Sequence, residues 1–545
     1  MRLDRPVAAE IQVVHDAELH LPPLSRLVDA ILNPLDVKRN VLEPRLVDVT
    51  LSHHDRLIRE RDVMTNTPEK QLAEAFLDRN AREIALLNDS IFYFGELGMQ
   101  EFETSKLMCD LLEEGGFKVE RGIADFPTGF CATHGSGAPV VAIHTEYDSN
   151  PDNSQKPGVA ESAAIVEGAP GHCEGHNANG AVLVAGALAA KSAMKQHGLK
   201  GTLKVFGAPA EEQLVSRPYF VRDGWFDDVD VAFAPHVSHE FGVGHGLIQS
   251  ALISAIFTFH GETAHAGVAP WKGRDALDAV VLMDVGMAEY REHMMPTMQC
   301  QRVITNGGNQ PNVIPKTAAI WWYFRASSAE GARKVFERAK KIAEGAALMT
   351  DTTYDVDVQS AVWPVRGNQT LAELAQTEYE RIGAPAWTRD EDDLARALQA
   401  KAGVKVDGLA RTTFKIDGPA KQKSAANDAG DVSWKVPMAK LYFPANIPNI
   451  NFHHWAAGVA LATSIAHKGA LAGSKLLANC VLECFANPEV VARAKATFAS
   501  EIEGETWFSM LLPDQKPPVE LNRAMMEKFR PAMREHYIKE RPRFT

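Results

Sequence analysis

No two cysteines stand in a CxxC arrangement, and the six present (Cys109, Cys131, Cys173, Cys300, Cys480, Cys484) are scattered through 545 residues. So sparse a set excludes a disulfide-framed secreted scaffold. Cys480 and Cys484 fall on one face of a helical segment and are expected in a core. A basic excess is missing too: the formal charge is −13. That argues against nucleic acid or an anionic membrane as partner, since both demand a basic face. No run of eighteen uncharged apolar residues occurs, so a membrane span is not expected. The opening MRLDRPVAAEIQVVHDAELH lacks the apolar centre of a signal peptide, and a cytoplasmic location is the expectation. Also absent are the GxSxG turn, the GxxxxGK[ST] phosphate loop, the HExxH helix and any internal repeat.

What is there has the balance of a folded globular chain, 45% apolar and 23% charged, and its length calls for more than one packed unit. Residues 1–61, mixed in charge, read as an N-terminal extension. From Thr67 the apolar spacing is helical behind a Thr cap and a first-turn Pro. PVVAIHTEYD, GTLKVFGAPAEE and DVDVAFAPHVSHE each read as an apolar strand ending in a polar tip, separated by the small-residue helix NANGAVLVAGALAAKSAMKQHG. Polar tips on apolar strands fit an α/β sheet, whose ligands gather at the strand ends. Residues 250–366 change pattern to a β-α-β-β-α-β order, a ferredoxin-like unit inserted into the first domain. The expected organisation is therefore a metal-binding catalytic domain over 62–249 and 367–500, a lid over 250–366, and a Pro- and Arg-rich tail over 501–545 wrapping the surface.

Five polar clusters carry candidate chemistry: EYD (Glu146, Asp148), GHCEGHN (His172, Glu174, His176), PAEE (Glu211, Glu212), APHVSH (His236, His239) and NFHHW (His453, His454). Taken singly, each has a bland explanation. A lone histidine is more often a surface or hydrogen-bonded core residue, and a Glu-Glu pair is usually a solvated helix face. Together, at strand ends and helix starts, they offer the carboxylates and imidazoles that Zn²⁺, Mn²⁺ and Co²⁺ accept. Adjacent Glu211 and Glu212 repel unless one binds metal and the other serves as a proton acceptor.

Several strings resemble the aminoacylase and carboxypeptidase G family of metal-dependent amidohydrolases, and within it the p-aminobenzoyl-glutamate hydrolase branch. They are FGELGMQEFETS, GHCEGHN, GAPAEEQ, HAGVAPWKGRDALDAV, NGGNQPNVIP, NDAGDVSWKVP and HHWAAG with AHKGALAGSK downstream, spanning about Thr67 to Phe498. The resemblance implies a zinc-exopeptidase-like α/β catalytic domain with an inserted ferredoxin-like (βαββαβ) lid and dimerisation domain. It implies two divalent metal ions per chain, Zn²⁺ or Mn²⁺ with Co²⁺ also accepted, held by Glu174, His176, Glu212, His236 and His453. His453 rather than His454 is chosen on its spacing to His467 and Lys468.

By the same resemblance Glu211 is the general base on the attacking water and Asp148 orients a ligand. His265 in the lid stabilises the oxyanion across a dimer, while Asn312 and Arg325 receive a substrate carboxylate. The implied substrate is an N-acyl or N-aroyl amino acid, with dipeptide cleavage or hydrolytic deamination as alternatives on the same site. A non-catalytic partner subunit is the reading from another class, and a homo-oligomer, or a second related subunit, is expected. One departure leaves two registers open. Where the family usually carries cysteine this chain has Glu174, and Cys173 stands one place earlier as the rival ligand. The polar segment after Asp148, SNPDNSQ, is expected to line the substrate cleft.

Overall fold

The computed structural model describes residues 66–502 and 504–545; the extension read at 1–61 lies outside the described residues. The helical stretch behind Thr67 is two helices, α1 (Pro68–Arg79) and α2 (Ala81–Phe94). Between them the Asn80 side chain donates to the Phe76 carbonyl at 2.8 Å, a local bond that competes with the helical ladder. Thr67 sits at the cap position of α1 but makes no side-chain cap bond.

Next come α3 (Phe102–Glu114), β1 (Lys118–Arg121), β2 (Phe130–Ser136), β3 (Val140–Thr145), α4 (His176–His197), β4 (Gly201–Gly207), α5 (Ser216–Arg222) and β5 (Val231–Ser238). A strand from far downstream, β12 (Met438–Pro444), completes one sheet in the order β1-β2-β4-β3-β5-β12. β3 pairs in parallel with both β4 and β5. The chain leaves β3 toward β4 and later crosses to β5 on the other side, so the crevice at their carboxyl ends is a topological switch point, where open α/β sheets bind ligands. Helix α4 is buried around most of its surface because its residues are small, and Gly198 ends it at φ 65°. It packs against α1, α2 and β5.

The inserted unit begins beyond the short β6 (Gly246–Leu247). It comprises β7 (Ala251–His260), α6 (Ala276–Tyr290), β8 (Gln299–Asn306), β9 (Thr317–Ala326), α7 (Ala329–Thr350) and β10 (Thr353–Val362). Its antiparallel sheet runs β10-β7-β9-β8. Alternate residues of β9, among them Ile320, Trp322 and Phe324, are buried in the same core as Val280 and Met283 of α6 and Phe336 of α7. This is the ferredoxin-like βαββαβ lid on an α/β domain that the resemblance implies. β8 is one of the two edge strands, with Val303 and Ile304 exposed.

The chain returns through β11 (Arg366–Gly367), α8 (Gln369–Ile382), α9 (Arg389–Lys401) and α10 (Ala429–Lys435) to β12, then on through α11 (Trp455–Gly458), α12 (Ser464–Ala486) and α13 (Pro488–Glu501). Two sheet strands, β2 and β12, go beyond the sequence expectation. FCATHGS is half polar, and MAKLYFP is interrupted by Lys440 and closed by proline at the sheet edge, so neither shows an apolar run ending in a polar tip. Among the described residues one helix, α12, is long and apolar enough to cross a membrane, and 78% of its apolar window is buried inside the protein. The Pro- and Arg-rich tail contains a helix of its own, α14 (Arg523–Met533). All six cysteines are buried and unpaired.

Candidate metal centre

Glu146 directly follows β3, the Glu211-Glu212 turn lies just beyond β4, His236 stands near the carboxyl end of β5, and α4 begins at His176. The helix start is shaped by Gly175, whose φ is 134° and whose missing Cβ would lie 2.7 Å from a Val237 methyl. Only glycine fits so strained and crowded a turn. It presents Glu174 and His176 to one crevice.

Three groups of ligand atoms converge there: Glu146, His176 and His236; Glu174, Glu212 and His453; and His176, Glu211 and Glu212. Glu174 bridges the set. Its Oε1 lies 3.2 Å from His236 Nε2 and its Oε2 3.1 Å from His453 Nε2. His453 Nε2 is also 3.3 Å from Glu212 Oε2. His176 Nε2 stands 4.0 Å from Glu174 and 3.8 Å from Glu211. The Cys173 thiol joins none of these groups; it is buried, and burial pushes it up.

The ring tautomers follow from what the outer nitrogens meet. His236 Nδ1 lies 2.9 Å from the Val237 carbonyl, which can only accept, so Nδ1 carries the proton and Nε2 offers a lone pair to the crevice. His176 Nδ1 faces Asp148 Oδ1 at 3.3 Å, which points its Nε2 inward in the same way. Asp148 Oδ2 in turn accepts the Glu212 N–H at 3.0 Å, tying the two loops together. His176 Nε2 and Glu146 Oε1 are buried with no hydrogen-bond partner. Buried polar atoms left this way are costly. Two orphaned ligand atoms aimed at one space, among three more carboxylates, fit a divalent cation.

The crowding of carboxylates and imidazoles shows in their proton affinities. Burial pushes Glu211 well above the usual carboxylate range, and the neighbouring Glu146 adds to it. Glu212 is raised by burial as well, with His453 opposing. Burial would also raise Glu146, but the Arg217 guanidinium overrides it and holds that carboxyl low. Glu174 is held low against burial by His236 and His453, and Glu174 followed by Glu212 pushes His453 up to about 10. His453 sits in the left-handed region at φ 62°, the kind of backbone strain that collects at functional sites.

The other sequence candidates divide. His172 is a core residue, its ring 3.2 Å from the Ile91 carbonyl, and burial pushes it down to about 3. His454 caps α11 instead of facing the crevice, and His239 lies outward beside Glu240. His265 and Asn312 lie on exposed lid loops that pair with each other, Ala266 N–H donating to the Asn312 carbonyl at 3.0 Å; neither belongs to the groups converging on the crevice. Arg325, on β9, donates to the Ser424 carbonyl at 3.0 Å and lies over the Tyr323 ring. The segment after Asp148 is closed on itself by Gln155, which bonds the Lys156 and Glu161 carbonyls and the Ala163 N–H.

Sequence reasoning gives no role to a charge network beneath the crevice. Buried Arg217 pairs with both Glu146 and Asp428 and donates to His144 Nδ1 at 3.0 Å. Asn427 donates to Glu211 Oε1. The string NDAGDVSWKVP signals Asn427 and Asp428; nothing marks Arg217, whose partners are remote in sequence.

Against known proteins, the M20 peptidase dimerisation domain model matches residues 248–350. One of the subunits of p-aminobenzoyl-glutamate hydrolase from Escherichia coli is 33% identical over 423 residues, covering 73% of this chain and 88% of that one. The chain belongs to the M20 family of metal-dependent hydrolases. The Xaa-Arg dipeptidase of Mus musculus is 26% identical over 450 residues, 80% of this chain and 93% of that one. A crystal structure of an aminobenzoyl-glutamate utilization protein from Klebsiella pneumoniae superposes with a TM-score of 0.51 at 18% identity, covering 76% of this chain and 99% of that one; it shares the fold. As an M20 enzyme the chain is an amidohydrolase, and its lid is the part that matches the dimerisation model.

Proposed function

We propose that this M20 enzyme hydrolyses the amide bond of an N-acyl or N-aroyl amino acid, a substrate like p-aminobenzoyl-glutamate. The observation that carries the reading is the convergence of Glu174, His176, Glu212, His236 and His453 on one crevice, with the unpartnered His176 Nε2 aimed into it. These five residues would hold two divalent ions. Such ions polarise an amide carbonyl and bring the pKa of water toward neutrality. The donors are all oxygen and nitrogen, which suits Mn²⁺, Zn²⁺ or Co²⁺.

The chain's own residues do the rest. Glu211, held by Asn427 with its other oxygen toward His176, takes the proton of the attacking water and returns it to the leaving amine. Asp148 orients His176 and, through the Glu212 N–H, the turn that carries the base. Arg325 is placed beside the Ser424–Asn427 segment, where its guanidinium would fork onto a substrate carboxylate. His265 and Asn312, exposed on the lid, would act on the crevice of a second copy, which requires at least a dimer. The Escherichia coli hydrolase is named for two different subunits, both similar to this chain, so a related second chain is an alternative partner.

The test is a screen of the metal-loaded protein against N-acyl amino acids, N-aroyl amino acids, dipeptides and simple aryl amides, read by released amine. Turnover concentrated on carboxylate-bearing acyl amino acids is the expected result. Turnover confined to dipeptides would move the substrate class toward that of the mouse relative. No turnover with metal bound would favour a partner-subunit role. A monomer in sedimentation at micromolar concentration would remove His265 and Asn312 from the reaction.

A further inference from the structure

One string singled out in the sequence, FGELGMQEFETS, places no side chain among the metal-facing groups. Its segment from Glu96 to Glu101 nevertheless contacts both loops that carry the proposed chemistry. Glu101 is fully buried. Its Oε1 accepts the Ala210 N–H at 2.8 Å, and its Oε2 accepts the Thr128 hydroxyl at 2.9 Å. Ala210 immediately precedes Glu211 and sits in the left-handed region at φ 56°, which a non-glycine residue keeps only when its surroundings impose it. Gly98 backs the same residue so closely that a Cβ there would lie 2.8 Å from Ala210 Cα and 2.9 Å from Ala210 Cβ. On the other side the Glu96 carbonyl accepts the N–H of Ser149, the residue after Asp148, at 2.8 Å.

We infer that Glu101 is a positioning residue for Glu211: its carboxylate fixes the strained Ala210 peptide and so sets the direction in which the next side chain leaves the loop, with Gly98 allowing the close approach. This rests on the reading of Glu211 as the base. The helix-capping position of Glu101 at the start of α3 does not require the inward-facing carboxylate, because the side chain makes no cap bond. Its two oxygens are both spent on the loops: one on Ala210, the other on the Thr128 hydroxyl that fixes the carboxylate plane.

The experiment uses the full-length, metal-loaded protein with three variants. Glu101→Leu removes the acceptor for Ala210, Glu101→Gln keeps it, and Thr128→Val removes one tie on the carboxylate. Misplacing a reacting group by about 1 Å costs on the order of 100-fold, so Glu101→Leu is expected to lower kcat by about that factor. KM and metal content should stay at the parent's level, and Glu101→Gln should recover kcat to within about fivefold of the parent. Hydrogen exchange of the peptide containing Ala210 should accelerate in Glu101→Leu and not in Glu101→Gln.

Equal kcat in Leu and Gln variants, or a loss expressed as a raised KM or missing metal, would overturn the inference. If Glu101→Leu does not fold, Thr128→Val decides, with a severalfold fall in kcat at constant KM supporting the role and an unchanged kcat refuting it. If the parent itself turns over no amide, the reading of Glu211 fails separately. Hydrogen exchange then judges Glu101 alone, and unaltered exchange at Ala210 refutes it.

Discussion

Glu174 touches two histidines of the crevice, and its geometry makes a sharp chemical prediction. Its two oxygens stand 3.2 Å from His236 and 3.1 Å from His453, while Cys173 uses only its backbone, accepting the His453 N–H at 3.1 Å. A ligand and a bystander respond differently to removal. Glu174→Ala should empty at least one metal position, and Cys173→Ser should leave metal content at about two per chain. Elemental analysis of the two purified variants checks this, and the opposite pattern would hand the site to the thiolate. With no sulfur donor, Mn²⁺ should activate at least as well as Zn²⁺. Glu211 is separable from the ligands in the same way. Glu211→Gln keeps a side chain that can bond Asn427 through its amide, but it cannot accept a proton. Metal content should be unchanged while kcat falls about 10²–10⁴-fold. A variant retaining most of its turnover would transfer the role of base, with Asp148 the next candidate.

At the scale of elements, the start of α4 is where local backbone and chemistry meet. Gly175→Ala would place a methyl 2.7 Å from Val237 at a φ of 134°. Strain and overpacking together should cost about 2–4 kcal/mol. Because Glu174 and His176 flank the position, metal affinity should fall along with the melting temperature; a variant that melts lower but binds metal normally would uncouple the turn from the site. This element also shows what sequence can tell. β3, β4 and β5 are legible because each is an apolar run ending in a polar tip, and the helix after GHCEGHN because its small residues run unbroken to a glycine. β12 is not, because Lys440 interrupts its apolar run and a proline, not a polar tip, closes it. With it goes the path that brings the loop of His453 beside GHCEGHN from nearly three hundred residues away. The string GHCEGHN cannot settle its own register, since either Cys173 or Glu174 satisfies it; the direction of each side chain depends on the Gly175 turn and on Val237. Arg217 is invisible because an arginine between Ser216 and Pro218 carries no signal until Glu146 and Asp428 close around it.

Across the whole molecule the chain beyond α13 ties distant parts together. Trp507 Nε1 donates to Asp431 Oδ1 at 2.9 Å, and Gln515 donates to the Val358 carbonyl in the lid. Arg530 pairs with buried Glu96, and the Thr545 N–H donates to Asn80 Oδ1 at 2.9 Å. Asp431 is the most telling of these anchors because it is buried and, among the described residues, pairs with no cation. Its other oxygen accepts the Trp363 N–H at 3.0 Å, and burial pushes its carboxyl up from 3.8 to about 7. The folded protein therefore keeps a proton on Asp431 at pH values where the unfolded chain has lost it. More protons bound in the folded state means that stability falls as pH rises, from the unfolded value near 3.8 up to the folded value near 7. The loss attributable to this one group is at most about 4 kcal/mol, and complete by about pH 8. Asp431→Asn cannot ionise, so it should lose this dependence, although its amide group cannot replace both acceptor oxygens and should lower stability by a constant amount. Urea midpoints at about pH 5 and about pH 8 test it: the parent should drop more than the variant between the two. Parallel curves for parent and variant would mean that Asp431 is ionised throughout, and that the two tryptophan N–H groups suffice to hold a buried charge.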